Sequence, residues 1–172
     1  GRYKNFSEVI DRLKETPRGP HDKLPNQFEF ASAGFARRMS FRGWRDIHRQ
    51  GFCAHFRTLV TPEMGFYRYD KPAPPELTDV FRKVHSLNKE IWIAMAEAGV
   101  PPVLRQYVMA MGNLVGFQIG GNLLQWEFVN WQRTKFSVNH EVRQTVLSIE
   151  NALRRDYSWW AGISRADMTP AY

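Results

Sequence analysis

Residues 75–99, PELTDVFRKVHSLNKEIWIAMAEAG, have the spacing of one long amphipathic helix. Apolar side chains recur every three or four residues, and this period places them on one face of an α-helix. They are Leu77, Val80, Phe81, Val84, Leu87, Ile91, Met95 and Ala98. Gly99 follows the last of them, and glycine commonly ends a helix. The segment therefore predicts a helix of about six turns.

Helical signals also dominate the chain after this helix. Residues 100–112, VPPVLRQYVMAMG, predict a shorter helix with prolines at its start. Residues 113–121, NLVGFQIGG, are apolar and rich in glycine, which indicates a strand or an extended segment. Residues 122–134 predict another helix, and Ser137 is expected to cap a last long one. The core face of that last helix is expected to carry Val138, Val142, Thr145, Val146, Ile149 and Leu153.

The N-terminal half mixes helices and strands. The strand signal is clearest in NQFEFAS, residues 26–32, where phenylalanine alternates with polar residues. Helices are expected at 5–15 and 36–49, short strands at 54–62 and 65–70, and a stiff linker, KPAPPE, at 71–76. The order of elements predicts an α+β fold, with helices packed on a small sheet in a single domain spanning residues 1–172.

Composition and charge restrict the classes of function. The 172 residues are 43% hydrophobic, which favours a folded globular protein over a disordered one. The net charge of +7 favours a phosphate-bearing partner, either a nucleic acid or a nucleotide or flavin. The basic residues are spread along the chain without a block, which weakens the nucleic-acid interpretation. A single cysteine, Cys53, and the lack of a signal-peptide core predict a cytoplasmic protein with no membrane partner.

The segment WRDIHRQGFCAHFR, residues 44–57, combines arginines, histidines and the lone cysteine. His48, Cys53 and His55 have the chemistry of metal ligands, but their spacing matches no closed zinc site, so no metal is expected. Cys53 near a histidine is also the pattern of an activated thiolate. The simpler interpretation is a small buried residue beside a strand.

Arginines are the stronger candidates for a binding site. Arg45 and Arg49 lie four residues apart, hence on one face if their segment is helical. Arg133 and Arg143 lie before and near the start of the last predicted helix, and Arg143 is off its apolar stripe, so that it need not be buried. Guanidinium groups bind phosphate bidentately, and convergent arginines would make a nucleotide site. The alternative is ordinary surface arginines paired with Asp46, Glu127 and Glu141.

Residues 96–149 resemble the C-terminal half of the flavin-dependent thymidylate synthases, the ThyX family. Residues 99–101 match the Gly-Val-Pro-like step that ends the family's long helix, and Asn122 matches an asparagine after the apolar segment. Arg133 falls on the arginine of a Leu-Arg pair, and residues 139–143 fall on a Gln-x-Glu-Ile-Arg-like helix start. The match needs no gap, and it covers about half of the chain.

The resemblance implies a ThyX-like fold, with long helices on a small twisted antiparallel sheet. It implies a flavoprotein of nucleotide biosynthesis that is a homotetramer, with FAD and dUMP held between subunits. The implied reaction is a methyltransferase step, the reductive methylation of dUMP to dTMP with a one-carbon unit from a folate. Arginines would replace a cysteine nucleophile, so Cys53 would not be catalytic.

The first half departs from the family signature of Arg-His-Arg followed by Ser, Asn-Glu and Ser-x-Arg-Tyr. In the best placement, RQG at 49–51 replaces the triplet, and the segment after it has neither Asn-Glu nor Ser-x-Arg-Tyr. Leu124 and Ser137 also replace family Arg and His positions. The resemblance therefore assigns no catalytic residue and implies flavin or nucleotide binding without full catalysis. It implies Arg49, Asn122 and Arg133 for the cofactor, and Arg45, Arg133 and Arg143 for the substrate.

Two other functions stay open from the sequence. One is a non-catalytic oligomerisation domain beside an active ThyX domain. The other is a nucleic-acid-binding module that uses the basic surface with exposed Trp and Tyr side chains.

Overall fold

A computed structural model describes residues 5–68 and 73–170, which form six α-helices and three β-strands. In chain order these are α1 (Phe6–Glu15), β1 (Ser32–Ser40), α2 (Phe41–His48), β2 (Ala54–Arg57), α3 (Pro75–Glu97), α4 (Pro102–Arg105), β3 (Leu114–Asn122), α5 (Leu123–Arg133) and α6 (His140–Asp156). Four short 3₁₀ turns lie at Asn26–Phe30, Pro62–Met64, Gln106–Val108 and Trp160–Gly162. This α+β architecture confirms the predicted fold class.

The chain divides into two compact units, a division that the prediction of a single domain did not include. The first unit contains the residues up to Gly34 and those from Gly120 onward, and the second is Phe35–Ile119. Among residues 5–68 and 73–170, none of the helices combines the length and the hydropathy that crossing a bilayer requires.

The sheet has β3 in its centre, with the order β1-β3-β2. Side chains of β3 alternate, since Val115, Phe117 and Ile119 are buried whereas Gln118 is exposed. This alternation is the period of a strand with one face on a core. It confirms the strand or extended segment that the sequence predicts for residues 113–121.

The strand predicted at residues 26–32 is wrong. Asn26–Phe30 forms a 3₁₀ turn, in which the Phe28 amide donates to the Pro25 carbonyl at 3.0 Å. Phe28 is buried in this turn, whereas Phe30 is 93% exposed. The alternation of phenylalanine with polar residues therefore comes from a turn that has one ring in the core and the other in water. β1 begins only at Ser32 and continues through residues predicted to be helical.

Several helices begin or end at residues other than those predicted. α2 begins at Phe41, because the Ser40 side chain caps it by accepting the Gly43 amide at 3.0 Å. The helix predicted over 100–112 is limited to α4, which ends at Arg105 and is followed by a 3₁₀ turn. Beyond the turn, the Ala110 amide donates to the Asn88 side chain at 2.9 Å and takes no part in a helix. Asn139, rather than Ser137, caps α6.

The strands predicted at 54–62 and 65–70 are shorter than expected. β2 ends at Arg57, and Phe66 contributes only an isolated bridge to Asn113. The last two residues of the second prediction and the first two of the linker, 69–72, lie outside the described residues. α3, α5 and α1 are confirmed almost to the residue, and Gly99 after α3 has the left-handed φ of +75° that favours glycine.

The second unit contains a point of close backbone approach at Gly112. The ring of Phe66 lies where a Cβ on Gly112 would be, at 2.4 Å, so no larger residue fits without moving the ring. The same ring packs beside Phe81 and His85 of α3, with centroids 6.0 and 5.8 Å apart. Gly112 therefore helps to place α3 within its own unit.

The core of the first unit holds two buried carboxylates between α5, α6 and the C-terminal segment. Glu150 is fully buried and accepts bonds from Asn130 Nδ2 (2.6 Å), Trp160 Nε1 (2.9 Å) and Arg154 Nε (2.6 Å). Because three donors surround it, the charge is compensated despite its removal from water. The same two helices also bury Trp126, Val129, Val142, Val146, Ile149 and Leu153.

We expect Glu150→Ala to destabilise the protein by about 3–5 kcal/mol, because it leaves a buried amide, an indole and a guanidinium without their acceptor. Urea unfolding followed by circular dichroism measures this loss. Asp156→Ala, at the end of the same helix, is the control, since Asp156 is exposed and bonded to exposed Arg155. Equal midpoints for the two variants would contradict the role given to Glu150.

Candidate functional site

Five exposed arginines of the second unit lie on α2 and on the strand before it. The arginines are Arg37, Arg38, Arg42, Arg45 and Arg49, and all five side chains are exposed. Arg42, Arg45 and Arg49 follow a three-then-four spacing, so they share one side of the helix. The opposite side buries Trp44 and Ile47. The prediction that Arg45 and Arg49 share a helical face is confirmed.

Arg49 is placed at the surface by the end of α2, of which it is the C-cap. Its side chain is 70% exposed and lies 3.8 Å from Asp46 Oδ1, a separation at the limit of an ion pair. The surface pairing with Asp46 that the sequence offered as an alternative is therefore present but loose. Arg45 makes only a long contact, 3.8 Å from its Nη1 to the Met111 sulfur. Both guanidinium groups are accessible to an anion.

The same helix, α2, also contains a cluster of stacked aromatic rings. The ring of Trp44 stacks on Phe41 (5.9 Å between centroids) and on His48 (4.5 Å). The guanidinium of Arg57 lies 5.0 Å from both the Phe41 and the Trp44 rings, and its Nη1 donates to the carbonyl of Thr58 at 2.7 Å. Arg57 is thus held by aromatic faces, whereas the α2 arginines remain outside the cluster.

Of the residues with metal-ligand or nucleophile chemistry, Cys53 is buried, His55 is partly buried and His48 is exposed. Cys53 is 6% exposed, and burial raises the pKa of its thiol to about 11. His55 Nε2 lies 2.9 Å from the Gln50 carbonyl, and its ring is 5.2 Å from that of His48. Within residues 5–68 and 73–170, no group of three or more His, Cys, Asp or Glu side chains is placed to hold a metal ion.

Arg143 lies in the first unit, and the expectation that it need not be buried is wrong. It is 1% exposed, with its Nε donating to the Thr134 carbonyl at 2.6 Å and its Nη2 to the carbonyls of Asp167 (3.3 Å) and Thr169 (2.6 Å). The Phe136 ring covers it, 4.8 Å from the centroid. The guanidinium fastens the C-terminal segment to the end of α5, and only Nη1 is buried without a hydrogen-bond partner.

Asn122 and Arg133 frame α5 in the same unit. The Asn122 side chain accepts the Gln125 amide at 2.8 Å, and the Gln125 side chain accepts the Asn122 amide at 2.8 Å, which forms a complete capping box. Arg133 is the last residue of α5 and is half-buried. The structure therefore gives Asn122 a structural task that its sequence position alone did not reveal.

Glu127 does not pair with the predicted site arginines. It is buried and receives Arg165 through two bonds, of 2.6 and 2.9 Å, while Arg18 Nη2 lies 3.3 Å away. Arg18 and Arg165 were not singled out from the sequence, because they lie 109 and 38 positions from Glu127. The predicted site residues are thus divided between the units, with Arg45 and Arg49 in one and Asn122, Arg133 and Arg143 in the other.

The chemistry of these side chains fits a phosphate. In the second unit, the α2 arginines present accessible cationic donors to an anion, and such donors fit the diphosphate of FAD as well as the phosphate of a nucleotide. In the first unit, the buried Nη1 of Arg143 is a donor without an acceptor. Arg42 belongs to the same face as Arg45 and was missed by the sequence analysis, although its spacing of three residues from Arg45 is a readable signal.

Comparison with known proteins identifies the fold. No protein-family profile and no curated protein matches this sequence. Among solved structures, the chain is similar to a UMP/dUMP methylase, PolB from Streptomyces cacaoi, whose crystal structure holds 5-bromo-dUMP. The TM-score is 0.75 at 13% identity, over 96% of this chain and 84% of that one. The chain therefore has the fold of a UMP/dUMP methylase.

Proposed function

We propose that this protein binds a pyrimidine nucleoside monophosphate, dUMP or UMP, through a thymidylate-synthase-like fold. The observation that carries the proposal is the likeness to a UMP/dUMP methylase over nearly the whole chain. The sequence resemblance of residues 96–149 to the flavin-dependent thymidylate synthases supports the same class of ligand. The net charge of +7 favours an anionic ligand as well.

The nucleotide phosphate is proposed to bind at the exposed face of α2. Arg45 and Arg49 are accessible there, and the ion pair of Arg49 with Asp46 is weak enough to exchange for a phosphate. Arg143 is a poorer candidate, because two of its three nitrogens already donate to backbone carbonyls. Its contribution to a ligand is limited to Nη1, and its main effect is to hold the C-terminal segment in place.

The proposed cofactor is FAD, with Arg49 of the second unit as a donor to its phosphates. The sequence resemblance gives the same role to Arg133 and Asn122, which belong to the first unit. When bound and reduced, the flavin supplies a hydride, and a folate supplies the one-carbon unit. Several phosphate-binding positions of the ThyX signature are replaced in this chain. Binding without full catalysis is therefore the expected state, and a chain that retains activity would convert dUMP to dTMP as a methyltransferase.

The same proposal includes a cytoplasmic homo-oligomer, with a tetramer as the expected state, because the resemblance implies sites built from several subunits. The second candidate function is a non-catalytic oligomerisation domain. Exposed aliphatic side chains on α3 favour that candidate, since such a face is typical of a protein–protein contact. The two functions differ in ligand binding, which calorimetry measures directly.

We expect Arg49→Ala to weaken dUMP binding roughly 10- to 100-fold, because it removes one charge-assisted contact to phosphate. Isothermal titration with dUMP, and separately with UMP and FAD, measures the change. Arg82→Ala is the matched control: Arg82 is 72% exposed and paired with Asp79, so it loses the same charge from α3.

Superimposable titrations for wild type and Arg49→Ala would remove Arg49 from the site. Absence of dUMP, UMP and FAD binding to the wild type would refute the proposed function itself. Retained catalysis is tested by incubating the protein with dUMP, dithionite-reduced FAD and a methylene-bearing folate, followed by mass spectrometry for dTMP.

Cys53→Ala is expected to leave nucleotide affinity unchanged. Any rate of dTMP formation should be unchanged as well. The folded-state pKa of about 11 keeps the thiol protonated at pH 7, and its burial hides it from substrate. Iodoacetamide should label the native protein much more slowly than the urea-unfolded protein, as followed by intact mass. Fast labelling of native Cys53 that abolishes dUMP binding would show that the thiol belongs to the site.

A further inference from the structure

α3 has two apolar faces, and only one of them packs inside its own unit. The inner face contains Phe81, His85 and Trp92, which contact Phe66 and Arg105 of the same unit. Asn88 also belongs to it: this side chain is 4% exposed, donates to the Val84 carbonyl at 2.7 Å and accepts the Ala110 amide at 2.9 Å.

The outer face is open to solvent. Leu77, Val80 and Leu87 are 38%, 51% and 54% exposed, and Val84 and Ile91 are partly exposed between the two faces. Ala94 and Ala98 continue the same side as small exposed residues. These seven positions alternate spacings of three and four residues, an average of 3.5, which is the a/d repeat of a coiled-coil seam. We call them the outer seam.

We propose that the outer seam pairs antiparallel with the same seam of a second copy of this chain. In this arrangement Val84 lies opposite Leu87 of the partner subunit, and each copy's Val80 lies opposite Ile91 of the partner subunit. Leu77 then lies opposite Ala94 of the partner subunit, and the small alanine leaves room for the leucine side chain. The layers are centred between residues 85 and 86, half a residue from the midpoint of Pro75–Glu97.

The charges beside the outer seam fix the direction of pairing. Glu76, Lys83, Glu90 and Glu97 are exposed and lie along one flank at intervals of seven. In the antiparallel register Lys83 faces Glu90 of the partner subunit, and two-fold symmetry makes this pair twice. Glu76 lies near Glu97 of the partner subunit, but this pair of like charges is at the helix ends, where water surrounds it.

A parallel pair lacks these contacts. It would direct Lys83 and Glu90 towards positions 88 and 95 of the other helix, which are Asn88, buried in its own unit, and Met95. No opposite charges meet in that arrangement. The inference rests on the homo-oligomer of the proposed function, for which it names the contact surface, and it uses no part of the nucleotide chemistry.

The test is the mass of the ligand-free protein in solution, by light scattering after gel filtration at tens of micromolar. Leu87→Asp should halve the mass of the assembly, because it places a charge in the middle layer. Ile93→Asp is the matched control: Ile93 is 56% exposed but lies roughly 150° around the helix from the seam. Far-UV circular dichroism checks that both variants are folded.

A charge exchange tests the direction. Lys83→Glu and Glu90→Lys should each weaken the assembly, and the double variant should restore it to the wild-type mass. A monomeric wild type, equal effects of Leu87→Asp and Ile93→Asp, or a double variant that is no better than either single one would overturn the proposal. Wild-type protein that assembles as proposed but binds no dUMP would refute only the nucleotide proposal, whereas a monomer that binds dUMP would refute the pairing of α3 and leave nucleotide binding standing.

Discussion

The compensation of buried carboxylates is the constraint on which the first unit depends. Glu150 and Glu127 are almost inaccessible to water, and a buried charge is tolerated only where donors surround it. Glu150 takes its donors from α5, α6 and the turn at Trp160, and Glu127 takes Arg165 and Arg18 from distant parts of the chain. The apolar residues give the helices a face to bury, while these carboxylates determine which segments must meet.

Arg143 shows how the same constraint decides the role of an arginine. Its position near the start of α6 suggested a ligand contact, yet the C-terminal segment folds back and offers carbonyl acceptors to its guanidinium. Two of those carbonyls are 24 and 26 positions away, so no local spacing announces them. Arg45 and Arg49 have no such enclosure, because α2 buries its other side. Burial of the opposite helix face, rather than the arginines' own spacing, keeps them accessible.

The sequence predicted the elements that local periodicity dominates. α3, α5 and α1 were found nearly to the residue, and the extended character of β3 was correct, because each carries its own repeat and ends at a cap or glycine. β1 was missed because ARRMS has no apolar alternation, and it becomes a strand by pairing with β3. α4 was overestimated, since the α-helix ends at Arg105, and further along the Ala110 amide donates to the side chain of Asn88, 22 residues earlier. The α2 arginines were readable in part, but the enclosure of Arg143 depends on long-range contacts.

The long helix illustrates a further limit of periodicity. An apolar stripe predicts that a helix face is covered, but it does not say whether the cover is the same chain or another copy. α3 has a broad stripe, and its own unit covers only the part that includes Asn88 and Trp92. The remainder follows a spacing of 3.5 residues, which is the repeat of a helix that packs along another helix. Core packing against irregular elements such as the turn at Pro62–Met64 imposes no such repeat. The spacing of 3.5 residues on the outer seam therefore indicates a helical partner. The opposite charges of Lys83 and Glu90 indicate that this partner is α3 of a second copy, running in the reverse direction.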